Sequence, residues 1–241
     1  MNLALFGLAS LLFAQAPMPD PATLVKEVEA HQRKMDELRE NYTFNEVTLT
    51  DELSKNGAVS RTDQEERSVF FVNGYRITRL VRRNGKELSE GESKSEQDRV
   101  SRLIEKDTKA PPGHSFNRRG ENVGISQILP LMKISNPRRI SLNGRSTLAY
   151  DFVGDPHAKA HGIAEGAARK IAGTVWVDEA DREVARLEAR FDDTFRIGGG
   201  FVATIQKGTS LIYEQAPLGQ ELWMPTASEI HLAARELLVK G

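Results

Sequence analysis

The dipeptide Asn-Gly occurs four times in this 241-residue chain, at 56–57, 73–74, 84–85 and 143–144. A two-residue hairpin turn needs two successive residues with positive φ, because only that backbone twist matches the twist of the flanking strands. Three of the pairs are closely spaced and are flanked by residues rich in Val, Ile, Thr, Phe and Tyr. They predict an antiparallel meander of strands at 42–50, 58–72 and 75–83. The fourth predicts a hairpin between 138–142 and 145–153. Further strand patterns cover 171–177, 183–191, 195–207, 209–215 and 222–238. Short turns link most of them, so the sheet is expected to be largely antiparallel.

Two helical patterns interrupt the strands. Asp20 is a suitable N-cap with Pro21 at the first helical position. Leu24, Val25, Val28, Met35 and Leu38 then recur at helical spacing to about Arg39. Residues 90–106 carry many charges and a stripe of Val100, Leu103 and Ile104, and predict a surface helix. Pro111-Pro112-Gly113 marks a loop, and 123–132 predicts a short apolar helix that Pro130 ends. Residues 157–170, rich in Ala and Gly, predict a loop or weak helix. The fold class is therefore α+β. About ten strands exceed what stays flat in one open sheet. The expectation is a strongly curved half-barrel wrapped around the N-terminal helix, with the insertion at about 89–135 as a lid. No Pro/Ser-rich linker lies inside 42–238, which predicts a single domain over 17–241.

The charges are unevenly placed. Lys and Arg number 33 and Asp and Glu 34, yet residues 1–16 (MNLALFGLASLLFAQA) carry none. The apolar run 3–13 is too short to span a membrane, which takes about 20 residues. It suits the apolar segment of a secretory signal, with Ala14-Gln15-Ala16 as a small-x-small cleavage site. An exported, soluble, periplasmic or otherwise extracytoplasmic protein is expected. The net charge of -1 argues against a nucleic-acid partner. The absence of cysteine excludes disulfides, thiolate metal sites, cysteine nucleophiles and an anchor through a lipidated cysteine.

The order of an uncharged start, one amphipathic helix, "NYTFNEV", a meander, a helical insertion and a second run of strands resembles the periplasmic lipoprotein-carrier-like superfamily. That group includes the periplasmic lipoprotein carrier, the outer-membrane lipoprotein receptor and the periplasmic regulator of anti-sigma factors. "GTVWVDEADREVARLEARF" (173–191) is similar to the group's hairpin: a Gly and an aromatic, an acidic turn, and a returning Leu-Glu strand. The resemblance implies an apolar cavity between sheet and helices that holds an acyl chain or a lipidated protein.

The residues themselves offer aromatic and small side chains on strands. In 185–191, alternation places Ala185, Leu187, Ala189 and Phe191 on one face and Arg186, Glu188 and Arg190 on the other. Phe44, Tyr150, Leu187, Phe191, Phe201, Tyr213 and Trp223 are the candidates for a cavity lining, with core packing as the competing reading. The candidates for chemistry are poorer. His157 and His161 share a face only if 157–161 is helical, and a mobile polar loop is the simpler reading. Gly198-Gly199-Gly200 precedes a strand rather than a helix and reads as a bend. Asp178, Glu179, Asp181, Asp192 and Asp193 fall at turns and read as solvated. Arg82-Arg83 and Pro137-Arg138-Arg139 read as surface charge, or as contacts for lipid headgroups. No catalytic residue, metal site or cofactor is expected. A lipid-binding carrier leads; a regulator docking to a membrane-protein partner and a hydrolase with an unrecognised site are the alternatives.

Overall fold

Asn73-Gly74, Asn84-Gly85 and Asn143-Gly144 all have positive φ at both positions, Asn at 51° to 53° and Gly at 72° to 80°. They form the tight hairpin turns expected of them. The computed structural model describes residues 17–54, 56, 58–112, 125–197, 203–232 and 234–236. The uncharged segment 1–16, Gly57, residues 113–120 of the expected loop, 123–124 of the expected apolar helix, the triple glycine and Phe201 lie outside these residues.

The protein is α+β, and all its strand pairings among the described residues are antiparallel. Helix α1 (Pro21–Arg39) opens the fold, with the Asp20 carboxylate accepting from the Thr23 amide. Strands β1 (Phe44–Leu53), β2 (Val59–Val72), β3 (Tyr75–Arg83) and β4 (Lys86–Glu87) form a four-stranded meander. Helix α2 (Glu90–Lys109) follows behind a Ser89/Glu92 capping box. Then come α3 (Ile125–Ile128), a 3-10 turn at Leu129–Leu131, β5 (Met132–Leu142) and β6 (Arg145–Gly154). After α4 (Ile163–Ala168) come β7 (Ile171–Asp178), β8 (Val184–Phe191), β9 (Phe195–Ile197), β10 (Ala203–Ile205), β11 (Ser210–Leu218), β12 (Leu222–His231) and β13 (Ala234–Glu236).

The strands divide into three sheets rather than one of about ten. The meander stands alone, a six-stranded sheet has the order β12-β11-β8-β7-β6-β5, and β13-β10-β9 form a small third sheet. The sequence pattern could not show this division, because the length of a strand says nothing about its non-local partners. Within the insertion, α3 and the 3-10 turn pack against α1. Helix α2 packs against β3 and β2 of the meander. Arg99 donates to the Thr78 carbonyl and the Glu96 carboxylate accepts from the Leu80 amide at 2.6 Å. The helix thereby satisfies backbone groups on the outer side of β3.

Two boundaries also move. Strand β5 begins at Met132, earlier than the expected 138, because Pro137 falls where the register shifts between Ser135 and Arg138. A bulge tolerates the missing donor there. A second register shift between Trp176 and Val177 places Ala185 in a bulge, so Val184, not Ala185, shares the buried face with Leu187.

The main core lies between α1 and one face of the six-stranded sheet. Leu24 and Val28 of α1 meet Leu148, Tyr150, Phe152, Val175, Val177, Val184, Leu187 and Ala189, with Leu129 and Met132 alongside. The other face is polar. There Arg186 pairs with Glu188 and Glu214 and stacks over Trp176, and Arg138 pairs with Asp151 at 2.6 Å. Among the described residues no helix is long and apolar enough to cross a membrane.

Candidate ligand-binding face

Strand register aligns the inner-face residues into rows. Tyr150, Val175, Leu187 and Tyr213 are successive cross-strand partners on β6, β7, β8 and β11. The next row is Phe152, Gly173, Ala189 and Leu211. The third includes the Ile171–Phe191 pair. The middle row therefore carries a glycine and an alanine at its centre, between rows of large apolar side chains. A side chain at Gly173 is excluded by the partner strand: a Cβ there would lie 1.8 Å from the Glu188 carbonyl oxygen. Leu211, Tyr213 and Ile171 are only partly buried against this core.

Of the expected lining residues, Tyr150, Leu187 and Tyr213 share one row, and Phe191 stands on the same face. Trp223 is buried at the neighbouring polar end. Phe44 is elsewhere, on β1 of the meander opposite Val69. Phe201 lies outside the described residues.

Tyr150 is fully buried, and its hydroxyl has no hydrogen-bond partner among the described residues. Burial pushes its phenol pKa up. Such an orphaned group is uncommon, because a buried hydroxyl without a partner costs about 1–3 kcal/mol. Tyr213, two strands beyond Val175, is pushed up to about 12 by burial, and its hydroxyl donates to Gln215 Oε1 at 3.3 Å.

The C-terminal half of α1 meets a polar cluster that sequence reasoning missed. Glu183, 0% exposed, accepts from Gln32 and Gln215 and lies 2.6 Å from His31 Nδ1. Arg39 donates to Asp36, to Gln215 Oε1 and to the Trp223 carbonyl, each at 2.7 Å. Burial raises the Glu183 pKa, against the opposing pull of the His31 hydrogen bond and the Arg39 and His31 charges. A signal was present: Gln32, Asp36 and Arg39 continue the spacing of Leu24 and Val28 along one helix face. Polar residues in the phase of a buried stripe mark partners across the interface.

The turn carboxylates are not simply solvated, as expected from sequence. Asp178 is buried and holds the β7–β8 turn through the Ala180 and Asp181 amides, at 3.0 and 2.9 Å. Burial pushes its pKa up, but the Arg145 hydrogen bond and the turn amides outweigh this and leave it lowered. Arg145 also pairs with Asp181 and lies over the Trp223 ring. Glu179 pairs with Arg139 at 2.6 Å. Asp192 and Asp193 are exposed and paired with Arg190 and Lys170. The basic pairs are likewise engaged: Arg82 with Glu66, Arg83 with Glu92, Arg138 with Asp151. His157 and His161 lie exposed on irregular backbone before α4, their amides bonded to Asp155 and Glu165.

No protein-family model matches the chain, and comparison with curated proteins finds no match.

Proposed function

We propose that the protein is an exported, soluble binding protein that holds a lipid or lipoprotein acyl chain between α1 and the inner face of the six-stranded sheet. In this reading the sheet curves around α1 as a half-barrel. The observation that carries it is the Tyr150 hydroxyl, buried without a partner on an apolar face whose middle row narrows to Gly173 and Ala189. An apolar site with one or two convergent polar groups suits an amphiphile: the small residues admit the chain, and the hydroxyl meets its carbonyl or carboxyl oxygen. The width of the sheet supports the same reading. Six strands at about 4.8 Å spacing exceed the roughly 10 Å diameter of one helix, and Leu211, Tyr213 and Ile171 are left partly exposed. The uncharged segment 1–16 supports export, and the likeness of 173–191 to the lipoprotein-carrier hairpin supports the ligand class.

The test is to purify the full chain, extract it with organic solvent and identify co-purified lipid by mass spectrometry. Displacement of an apolar fluorescent probe by a fatty acid gives the affinity. Lipid recovery with probe displacement is expected. Absence of both would refute the carrier reading.

A further inference from the structure

The two larger sheets have four outer edges, and three of them are protected against strand addition. Strand β3, where it runs past the short β4, has its Thr78 carbonyl and Leu80 amide satisfied by Arg99 and Glu96 of α2. Strand β5 is broken by the bulge at Asn136-Pro137, with Asn136 at φ 49° and Arg138 tied to Asp151. Strand β12 carries Pro225 beside the register shift at Glu214/Gln215. Proline, bulges and covering side chains are the usual devices that blunt a sheet edge.

Strand β1 has none of them over its first nine residues. It runs ten residues without Pro, Gly, Lys or Arg, and its register with β2 shifts only at Leu53. Among the described residues no strand pairs with its outer side. The direction of its backbone groups follows from its neighbour. The Gln64 amide donates to Asn84 Oδ1 and the Gln64 carbonyl accepts from the Asn84 amide, both at 2.7 Å, so Gln64 is bonded on the β3 side. Leu49 lies directly opposite Gln64, so its N–H and C=O point away from β2. By alternation those of Asn45, Val47 and Asp51 do the same.

The side chains of β1 divide by chemistry. Val47, Leu49 and Leu53, respectively 60%, 65% and 63% exposed, share one face with Asp51. The other face carries Glu46, Thr48, Thr50 and Glu52. We infer that the free edge of β1 is a strand-addition site for an extended polypeptide in which apolar residues alternate with basic ones. Glu46 already pairs with Arg76, so antiparallel addition would place the apolar set beside Val47 and Leu49 and a basic residue beside Glu52. A second copy of β1 fits poorly in the register centred on Leu49. Antiparallel self-pairing centred on Leu49 sets Glu46 against Glu52, and like charges directly opposite repel.

The test uses the full chain and a fluorescein-labelled ten-residue peptide of alternating Val and Lys, read by fluorescence anisotropy. Saturable binding is expected, at least tenfold weaker for the alternating Val/Glu peptide. The same peptide N-methylated at its valines loses the donors that face Leu49 and is also expected to bind at least tenfold more weakly. Leu49→Pro removes an outward N–H while leaving the ladder to β2 intact, and is expected to weaken binding tenfold or more, whereas Leu49→Thr retains most of it. Should Leu49→Pro fail to fold, the N-methylated peptide decides alone. No binding, equal binding of the N-methylated peptide, or a dimer of the chain that Leu49→Thr preserves and Leu49→Pro abolishes would each overturn the inference.

Discussion

Replacing Glu183 with alanine measures how firmly α1 is held to the sheet. Three donors face the Glu183 carboxylate, and they do not suffer equally from its loss. His31 is 34% exposed and can turn to water. The Gln215 side chain keeps its 2.6 Å bond to the Val184 carbonyl. Gln32, 1% exposed, loses the partner of its amide. One stranded buried donor costs about 1–3 kcal/mol. The missing side chain also removes one buried methylene, at about 0.8 kcal/mol. The expected loss is about 2–4 kcal/mol, which in urea moves the midpoint down by about 1–2 M. Trp223 reports the transition by fluorescence, since it sits beside the cluster with its indole N–H on Asp181 at 3.1 Å. Arg33→Ala is the comparison: it removes only an exposed i,i+4 partner of Glu29 and should leave the midpoint unmoved. A loss below about 1 kcal/mol for Glu183→Ala, in a variant with unchanged circular dichroism, would refute the claim that the cluster anchors α1.

Three further outcomes follow from the same geometry. Gly173→Ala forces a Cβ against the backbone of β8, 1.8 Å from the Glu188 oxygen and 2.9 Å from Ala189 Cα. It should cost about 3 kcal/mol in thermal or urea unfolding. Tyr150→Phe removes an unpartnered buried hydroxyl, so the free protein should gain about 1 kcal/mol, while fatty-acid affinity in the probe-displacement assay should fall. The third outcome concerns pH. Glu183 holds its proton more tightly in the folded state than the ordinary glutamate value of 4.5. Its contribution is therefore fully present below that value and is lost as pH rises through the raised folded value. Stability of the wild type relative to Glu183→Gln, measured by urea unfolding from pH 4 to 8, should decline as pH rises above about 4.5.

The local parts of this fold were legible because local chemistry determines them. Asn-Gly turns, the Asp20 cap and the period of Leu24 and Val28 place hairpins and α1 without reference to distant residues. The alternation in 187–191 likewise assigned Leu187 and Ala189 to the buried face. Which strands share a sheet depends on non-local pairing, and the division into three sheets was not visible. The candidate site divides in the same way. Tyr150, Leu187 and Tyr213 can be read as inward-facing residues, but their alignment in one row needs the registers of four strands. Phe44 has the same composition around it and belongs to another sheet. The Glu183 cluster was missed because 178–182 read as an acidic turn and Glu183 as the first residue of the strand that follows it. Only the docking of α1 turns such a turn into a buried interface.

The anchoring of α1 also sets an order of events when the chain is made. The helix is synthesised near the beginning, yet its hydrogen-bond partners come much later: Arg39 and the Trp223 carbonyl are separated by 184 positions, and Gln32 and Glu183 by 151. At about 5–20 residues per second, α1 waits roughly 10–40 s before its last partner exists. Until β5 to β8 are made, Leu24 and Val28 have no sheet to cover. The helix that closes the finished core is, during the early part of synthesis, a free amphipathic segment.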